Sequence, residues 1–236
     1  EAEISTRPLS FMETGRSRPS RDMLLRLAEQ LEIPLRERNV LLTAAGFAPI
    51  FRERGLADPA LAAARRAVQK VLAGHEPYPA LAVDRHWTML AANRAVAPLL
   101  QGLAPALLEP PVNVLRLSLH PDGLAPRIAN LAQWRAHLLA RLHQQVEASA
   151  DAVLLALFEE LRGYPMPAGA DGADAADDDL AGVAVPFRLR TPAGVLSFLS
   201  TTTVFGTPVD ITLSELAVES FFPADAFTAE AVRASG

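Results

Sequence analysis

The spacing of apolar residues changes along this chain of 236 residues from a helical period to a period of two. Between residues 131 and 142 apolar residues recur every three or four positions, as on the buried face of a helix. From residue 183 onward they alternate with polar residues, as in half-buried strands. Two shorter candidate strands, Ala80–Val83 and Trp87–Ala91, precede the helical block. This order predicts an α+β domain in which strands on both sides of a helical insert share one antiparallel sheet.

The residue pattern of the last predicted strand also indicates which of its two faces is buried. Leu216, Val218 and Phe222 alternate there with Glu215 and Glu219. Since side chains of a strand point alternately to its two faces, we expect the apolar set to face the core and the glutamates to face water. The segment at residues 165–182, which is rich in Ala, Gly and Asp, predicts a solvated loop before these strands.

The first 47 residues have a different pattern, that of short helices separated by capping residues. Ser5 and Ser20 are candidate N-caps of successive helices, and proline and glycine residues mark the helix ends. Residues 48–57 contain Pro49 and Gly55 and predict a linker. We therefore expect an all-α domain at residues 1–47, a linker at 48–57 and the α+β domain at 58–236.

The composition excludes several classes of function. The chain has no cysteine, so it forms no disulfide, thiol nucleophile or cysteine-ligated metal site. It contains neither an apolar run of about eighteen residues, the minimum for a membrane span, nor an N-terminal signal-peptide pattern. The five histidines lack metal-ligand spacing, and no nucleophile elbow, phosphate loop or dinucleotide fingerprint occurs. We expect a cytoplasmic protein that is not an enzyme, binds no membrane and has no metal, catalytic residue or cofactor.

The net charge of −5 hides a basic cluster near the N-terminus. Between Arg7 and Arg21 there are four arginines and only one acid, Glu13. Such a density of arginine is typical of segments that contact nucleic-acid phosphates. Double-stranded DNA is therefore a candidate partner of an otherwise acidic chain.

Two groups of motifs resemble bacterial transcription regulators. The first group resembles the recognition helix and following segments of XRE-type helix-turn-helix regulators, and it comprises Ile4–Ser20, Leu24–Ala28 and Pro34–Asn39. The second group is similar to the ligand-binding domain of MmyB-like regulators, and it comprises Ala92–Ala95, Leu119–Leu124, Phe205–Pro208 and Phe221–Asp225. Together the resemblances cover nearly the whole chain.

The resemblance implies a function and an architecture. It implies a helix-turn-helix DNA-binding domain, truncated at its start because the chain begins near the end of the second helix of that fold. It also implies a PAS-like ligand-binding domain with an interior apolar cavity and a non-covalent, fatty-acid-like ligand. A homodimer is expected because helix-turn-helix proteins read paired half-sites.

The resemblance places specific residues on DNA. By their position in the motif, Thr6, Arg7 and Phe11 face the major groove, where Arg7 can bond a guanine and Phe11 can lie on a thymine methyl group. Ser10 is a further candidate for this groove. The residues expected to contact phosphates, which supply affinity without sequence information, are Thr14, Arg16, Arg18 and Arg21.

The ligand site is predicted where the apolar sheet face meets the helical insert. The apolar candidates for its lining are Leu90, Leu115, Leu119, Trp134, Leu138, Val185, Phe187, Leu189, Leu196, Phe198, Leu216 and Val218. Ser200 and Thr202 continue one of these strand faces and can offer hydroxyl groups. A carboxylate head group would need a cation at the cavity mouth, for which the candidates are His120, Arg127 and Arg135.

Two alternatives to a regulator of this kind remain open. The second domain can hold haem or flavin and act as a redox sensor or enzyme, or it can serve only as a dimerisation platform. A coloured purified protein favours the former. A denatured extract without any ligand, combined with no thermal shift on adding lipids, favours the latter.

Overall fold

A computed structural model of the chain describes residues 17–166, 185–205 and 210–235. The predicted helix capped by Ser5 and residues 167–182 of the predicted loop lie outside these described residues. The described chain forms two compact units, the first made of residues 17–64, 205 and 210–215 and the second of residues 65–166, 185–204 and 216–235.

Helices and strands follow one another in a mixed order. The helices are α1 (Arg21–Gln30), α2 (Leu35–Ala44), α3 (Ala62–Gly74), α4 (Pro105–Leu108), α5 (Val114–Leu119), α6 (Leu131–Ser149), α7 (Ala152–Arg162), α8 (Ile211–Ser214) and α9 (Ala226–Ser235). Short 3₁₀ turns lie at Pro59–Leu61, Arg94–Leu100 and Ala125–Arg127. The strands are β1 (Ala80–Val83), β2 (Met89–Ala92), β3 (Phe187–Thr191), β4 (Gly194–Val204) and β5 (Ala217–Pro223). In the described part of the chain no helix is both long and apolar enough to cross a membrane.

The second unit is built on one five-stranded antiparallel sheet with the order β2-β1-β5-β4-β3. The β1–β2 hairpin and the three C-terminal strands meet along the β1–β5 pairing, where Leu81 is opposite Glu219. Helices α4 to α7 lie between these two groups in the chain. The predicted arrangement of two strands, a helical insert and three strands in one sheet is therefore confirmed.

Helix α6 covers the sheet with its most apolar face. Leu131, Trp134, Leu138 and Leu142 recur at helical spacing along it and are all buried. The Trp134 ring lies 5.1 Å from the Phe187 ring of β3, between centroids. A single core thus joins the helical insert to the face of the sheet.

The first unit is held together by polar side chains as well as by apolar contacts. As predicted, the Ser20 hydroxyl caps α1 by accepting a hydrogen bond from the Met23 N–H. The Arg36 guanidinium binds both Glu53 and Glu215, at 2.5 and 2.7 Å, and these hydrogen bonds raise its pKa above the usual value. Burial of Asp210 is compensated by an ion pair with Arg54 at 3.1 Å. Residues 210–215, which link β4 to β5 in the sequence, therefore belong to the first unit.

The domains expected at residues 1–47 and 58–236 stay a prediction, while the compact units of the structure divide at residues 64 and 65, and residues 210–215 return to the first unit. One expectation from the sequence needs correction. The buried side of β5 was predicted wrongly in part, because Glu219 is buried with 5% exposure whereas Phe222 is 43% exposed. Burial does not alternate along β5, because the consecutive residues Val218, Glu219 and Ser220 are all buried, so both faces of the strand are covered there.

Candidate ligand-binding site

A cavity opens between the sheet and the helical insert of the second unit. Its empty space, counted together with the opening to solvent, is about 770 Å³. The sheet side and the loops before it contribute Pro79, Leu81, Trp87, Met89, Phe187, Ser200, Glu219 and Phe221. The helical side contributes Val96, Leu99, Leu100, Val114, Leu115, Leu117, Ser118, Leu124, Trp134, Leu138 and Arg141. The walls are thus almost wholly apolar, as in pockets that take small apolar molecules.

Helix α6 supplies both apolar and charged groups to the cavity. Trp134, Leu138 and Arg141 are four and three residues apart and therefore lie on the same helix face. The Trp134 Nε1–H donates to the Ser118 hydroxyl at 2.9 Å, so this buried ring has its polar atom satisfied. One turn further along, the same face ends in the Arg141 guanidinium.

The Arg141 guanidinium is paired with a carboxylate from the middle of the sheet. Its Nη2 donates to Glu219 Oε1 at 2.7 Å, and its Nη1 donates to Glu219 Oε2 at 3.3 Å. Nη2 also donates to the Thr202 hydroxyl at 2.7 Å, and Thr202 in turn donates to Glu219 Oε1 at 2.8 Å. The side chains of Arg141 and Glu219 are only 25% and 7% exposed. An apolar cavity with one charge-balanced polar end is the result.

Trp87 packs against the Arg141 guanidinium. Its ring lies 4.5 Å below the guanidinium carbon in a cation–π contact, and its Nε1–H donates to Gln145 Oε1 at 2.8 Å. The Trp87 backbone has a φ of +66°, a left-handed conformation that costs a non-glycine residue about 1–3 kcal/mol. The Asp84 carboxylate stabilises this turn by accepting hydrogen bonds from the His86 and Thr88 N–H groups. The strained turn therefore aims the indole ring at the polar end of the cavity.

His137 lies one turn before Arg141 on α6 and packs on Trp134, with 5.6 Å between ring centroids. Burial lowers the pKa of its imidazole below the usual value. The positive charge of Arg141 lowers this pKa further, while Glu219 acts in the opposite direction. At neutral pH this imidazole is uncharged and leaves the charge balance of the Arg141–Glu219 pair unchanged.

Five of the residues predicted from the sequence line the cavity. They are Leu115, Trp134, Leu138, Phe187 and Ser200. Their assignment to a ligand stays a prediction, but the structure brings all five to one cavity surface. Ser200 is opposite Phe221 and Thr202 is opposite Glu219 across the β4–β5 pairing, so the predicted hydroxyl face runs toward the polar end.

The remaining predicted residues lie elsewhere in the second unit. Thr202 binds Arg141 and Glu219 at the polar end, and Leu90 lies half-buried on β2. The apolar residues that fill the surrounding core or its edge are Leu119, Val185, Leu189, Leu196 and Phe198. Leu216 and Val218 are buried, and Val218 points to the face opposite Glu219 because neighbouring residues of a strand alternate.

The three cations predicted for the cavity mouth bind other parts of the fold. Arg127 donates to the carbonyl groups of Leu99 and Gln101, and Arg135 donates to those of Leu161 and Arg162. His120 Nδ1 accepts from the Asp122 N–H, at 3.0 Å. The cation at the cavity is instead Arg141, whose only sequence signal is its position seven residues after Trp134 on the apolar face of a helix.

The predicted DNA contacts lie mostly outside the described residues. Among them are Thr6, Arg7, Ser10, Phe11, Thr14 and Arg16. Arg18 and Arg21 are described, and both are exposed, Arg18 in the segment before α1 and Arg21 as its first residue. Both side chains are therefore accessible to a phosphate backbone.

A known protein family matches the part of the chain that contains the cavity. The family model of the MmyB-like transcription regulator ligand binding domain matches residues 64–234, which is well over half of the chain. That range includes all the residues that line the cavity. No curated protein matches the chain significantly. Among the described residues, no group of three or more His, Asp or Glu side chains is placed to hold a metal ion.

Proposed function

This chain belongs to the family of MmyB-like transcription regulator ligand-binding domains, and from this we propose that it is a DNA-binding transcription regulator controlled by a small apolar ligand. The observation that carries the proposal is the apolar cavity of the second unit, whose lining includes the Arg141–Glu219 pair as its polar end. Such a cavity suits an amphiphile with a long apolar chain and one polar end, the class that includes fatty acids and their uncharged analogues.

The ligand-binding unit is proposed to be PAS-like. Two N-terminal strands, a helical insert and three further strands in one sheet support this fold. Occupancy of the cavity changes DNA binding only if the ligand has different affinities for two states of the protein. The proposed role is therefore binding and signalling rather than catalysis.

The DNA-binding part is proposed to be an XRE-type helix-turn-helix domain. The motif at Ile4–Ser20 and the exposure of Arg18 and Arg21 support this assignment. A cytoplasmic homodimer is proposed with it, because a helix-turn-helix protein reads two half-sites one helical turn of DNA apart.

The decisive experiment is mass spectrometry of the small molecules that the purified full-length protein releases on denaturation. We expect a molecule with a long apolar chain, present in a fixed ratio to the protein. A coloured protein that releases haem or flavin would contradict the proposal. An empty extract, together with no thermal shift on adding lipids, would favour a plain dimerisation platform.

A matched pair of variants on β2 tests whether the cavity is the binding site. Met89 lines the cavity, whereas its neighbour Leu90 does not. Met89→Trp fills part of the cavity, so it should retain less than about a third of the ligand bound by the wild-type protein, whereas Leu90→Trp should retain most of it. Equal retention by the two variants would place the ligand elsewhere.

A further inference from the structure

We propose that the cavity selects amphiphiles whose polar end is uncharged, such as long-chain alcohols, over amphiphiles that end in an ionised carboxylate. This inference rests on the proposed function, since it specifies the chemical class of ligand for the same cavity. It follows from how the Arg141 guanidinium is already used within the protein.

The positive charge at the cavity is neutralised before any ligand enters. Arg141 makes two hydrogen bonds to the Glu219 carboxylate and one to the Thr202 hydroxyl. Glu219 is 5% exposed and accepts a further hydrogen bond from Thr202. Two opposite charges, held in a fixed geometry by β4, β5 and α6, present no net charge to the cavity.

An ionised carboxylate would meet an unfavourable environment at this end. To bind Arg141 it must displace Glu219, which would leave a buried carboxylate without its partner. If instead it shares Arg141, two carboxylates lie side by side with one cation. Both arrangements put an uncompensated negative charge in a cavity with apolar walls, where charges are poorly solvated.

A hydroxyl end group meets none of these costs. It has one donor hydrogen and two acceptor lone pairs, so it can donate to Glu219 and accept from a neighbouring hydroxyl or guanidinium N–H. The Ser200 hydroxyl lines the cavity on the same strand face as Thr202 and provides one such neighbour. The Arg141–Glu219 pair stays intact while the ligand's polar atom is satisfied.

Three amphiphiles with the same ten-carbon chain test the charge preference directly. Decanoate, 1-decanol and decylammonium carry charges of −1, 0 and +1 and are titrated calorimetrically into the ligand-free wild-type protein at pH 8, the two ions below their critical micelle concentrations and 1-decanol below its solubility limit. We expect 1-decanol to bind about tenfold or more tighter than decanoate, because an unpaired charge in an apolar site is strongly disfavoured. Decanoate binding as tightly as 1-decanol, or tighter, would overturn the inference.

Two variants, each of which removes one charge of the Arg141–Glu219 pair, should change the order of affinity among the three amphiphiles. Glu219→Gln leaves Arg141 without its counter-ion, so decanoate should gain about tenfold or more relative to 1-decanol. Arg141→Gln leaves Glu219 unpaired, so decylammonium should gain instead. Far-UV circular dichroism and thermal unfolding identify a variant that fails to fold, and the wild-type preference still decides the question in that case.

The outcomes separate the inference from the proposed function. Binding of 1-decanol with a reversed preference in Glu219→Gln supports both. Binding of decanoate in preference to 1-decanol keeps the regulator proposal and overturns the charge selection. Absence of binding by all three amphiphiles overturns the apolar-ligand proposal and the charge selection with it.

Discussion

Gly123 lies where the backbone leaves no room for a side chain. Its N–H donates to the His120 carbonyl oxygen at 2.9 Å, and the next residue, Leu124, donates its N–H to the Leu117 carbonyl oxygen at 2.8 Å. A Cβ at Gly123 would collide with that same Leu117 oxygen, which is a backbone atom fixed by the turn. The glycine of the motif Leu119–Leu124 is thus required by close packing of the backbone.

Gly123→Ala should therefore destabilise the second unit by about 1–3 kcal/mol, the usual cost of forcing an extra group into a packed site. Urea unfolding followed by circular dichroism measures the change in the free energy of unfolding. The matched control is Gly74→Ala, since a Cβ at that glycine meets nothing within 4 Å. A loss of equal size in both variants would show that packing against Leu117 is not the cause.

At the scale of elements, α6 couples stability to pH through His137. Burial and then Arg141 lower the pKa of this imidazole in the folded protein, whereas in the unfolded chain it titrates near about 6.5. The unfolded state therefore binds the proton more readily, so His137 reduces stability as the pH falls below about 6.5. Above that pH the imidazole is neutral in both states and has no such effect.

His137→Gln removes this titration. We expect the variant to become more stable relative to the wild-type protein as the pH falls from about 7.5 to about 5.5. Thermal or urea unfolding at several pH values measures the difference. His143→Gln, on the exposed side of the same helix, is the control, and a pH dependence equal to that of the control would contradict the role of His137.

The elements of the second unit could be predicted from local patterns, but the polar end of its cavity could not. Hydrophobic period and turn residues are local properties, and they located the strands and α6. The inward position of Glu219 depends on Arg141, which is 78 residues away in the sequence. The general rule that charged residues face water takes no account of an ion-pair partner far away in the sequence. It therefore predicted the wrong face for this glutamate. Because Arg141 and Glu219 are so far apart in the sequence, no sequence pattern favoured Arg141 as the cation of the cavity over His120, Arg127 and Arg135.

Across the whole molecule, the acidic ligand-binding unit and the basic N-terminal segment carry separate parts of the proposed function. A net charge of −5 disfavours DNA binding by the chain as a whole, so affinity must come from a local cluster. Within the described residues, Arg18 and Arg21 are its members, and both are exposed. Phosphate contacts supply affinity that depends on salt but not on base sequence.

Arg18→Ala and Arg21→Ala in the full-length protein should each weaken binding to all DNA sequences by a similar factor. Each lost phosphate contact should also reduce the slope of log affinity against log salt concentration by about 1. Fluorescence anisotropy with a specific and a scrambled duplex at several salt concentrations measures both effects. Arg66→Ala is the matched control, because it removes the same charge from an exposed position of α3 in the second unit. An equal change of slope in Arg66→Ala would show that total charge, rather than phosphate contact by Arg18 and Arg21, governs the affinity.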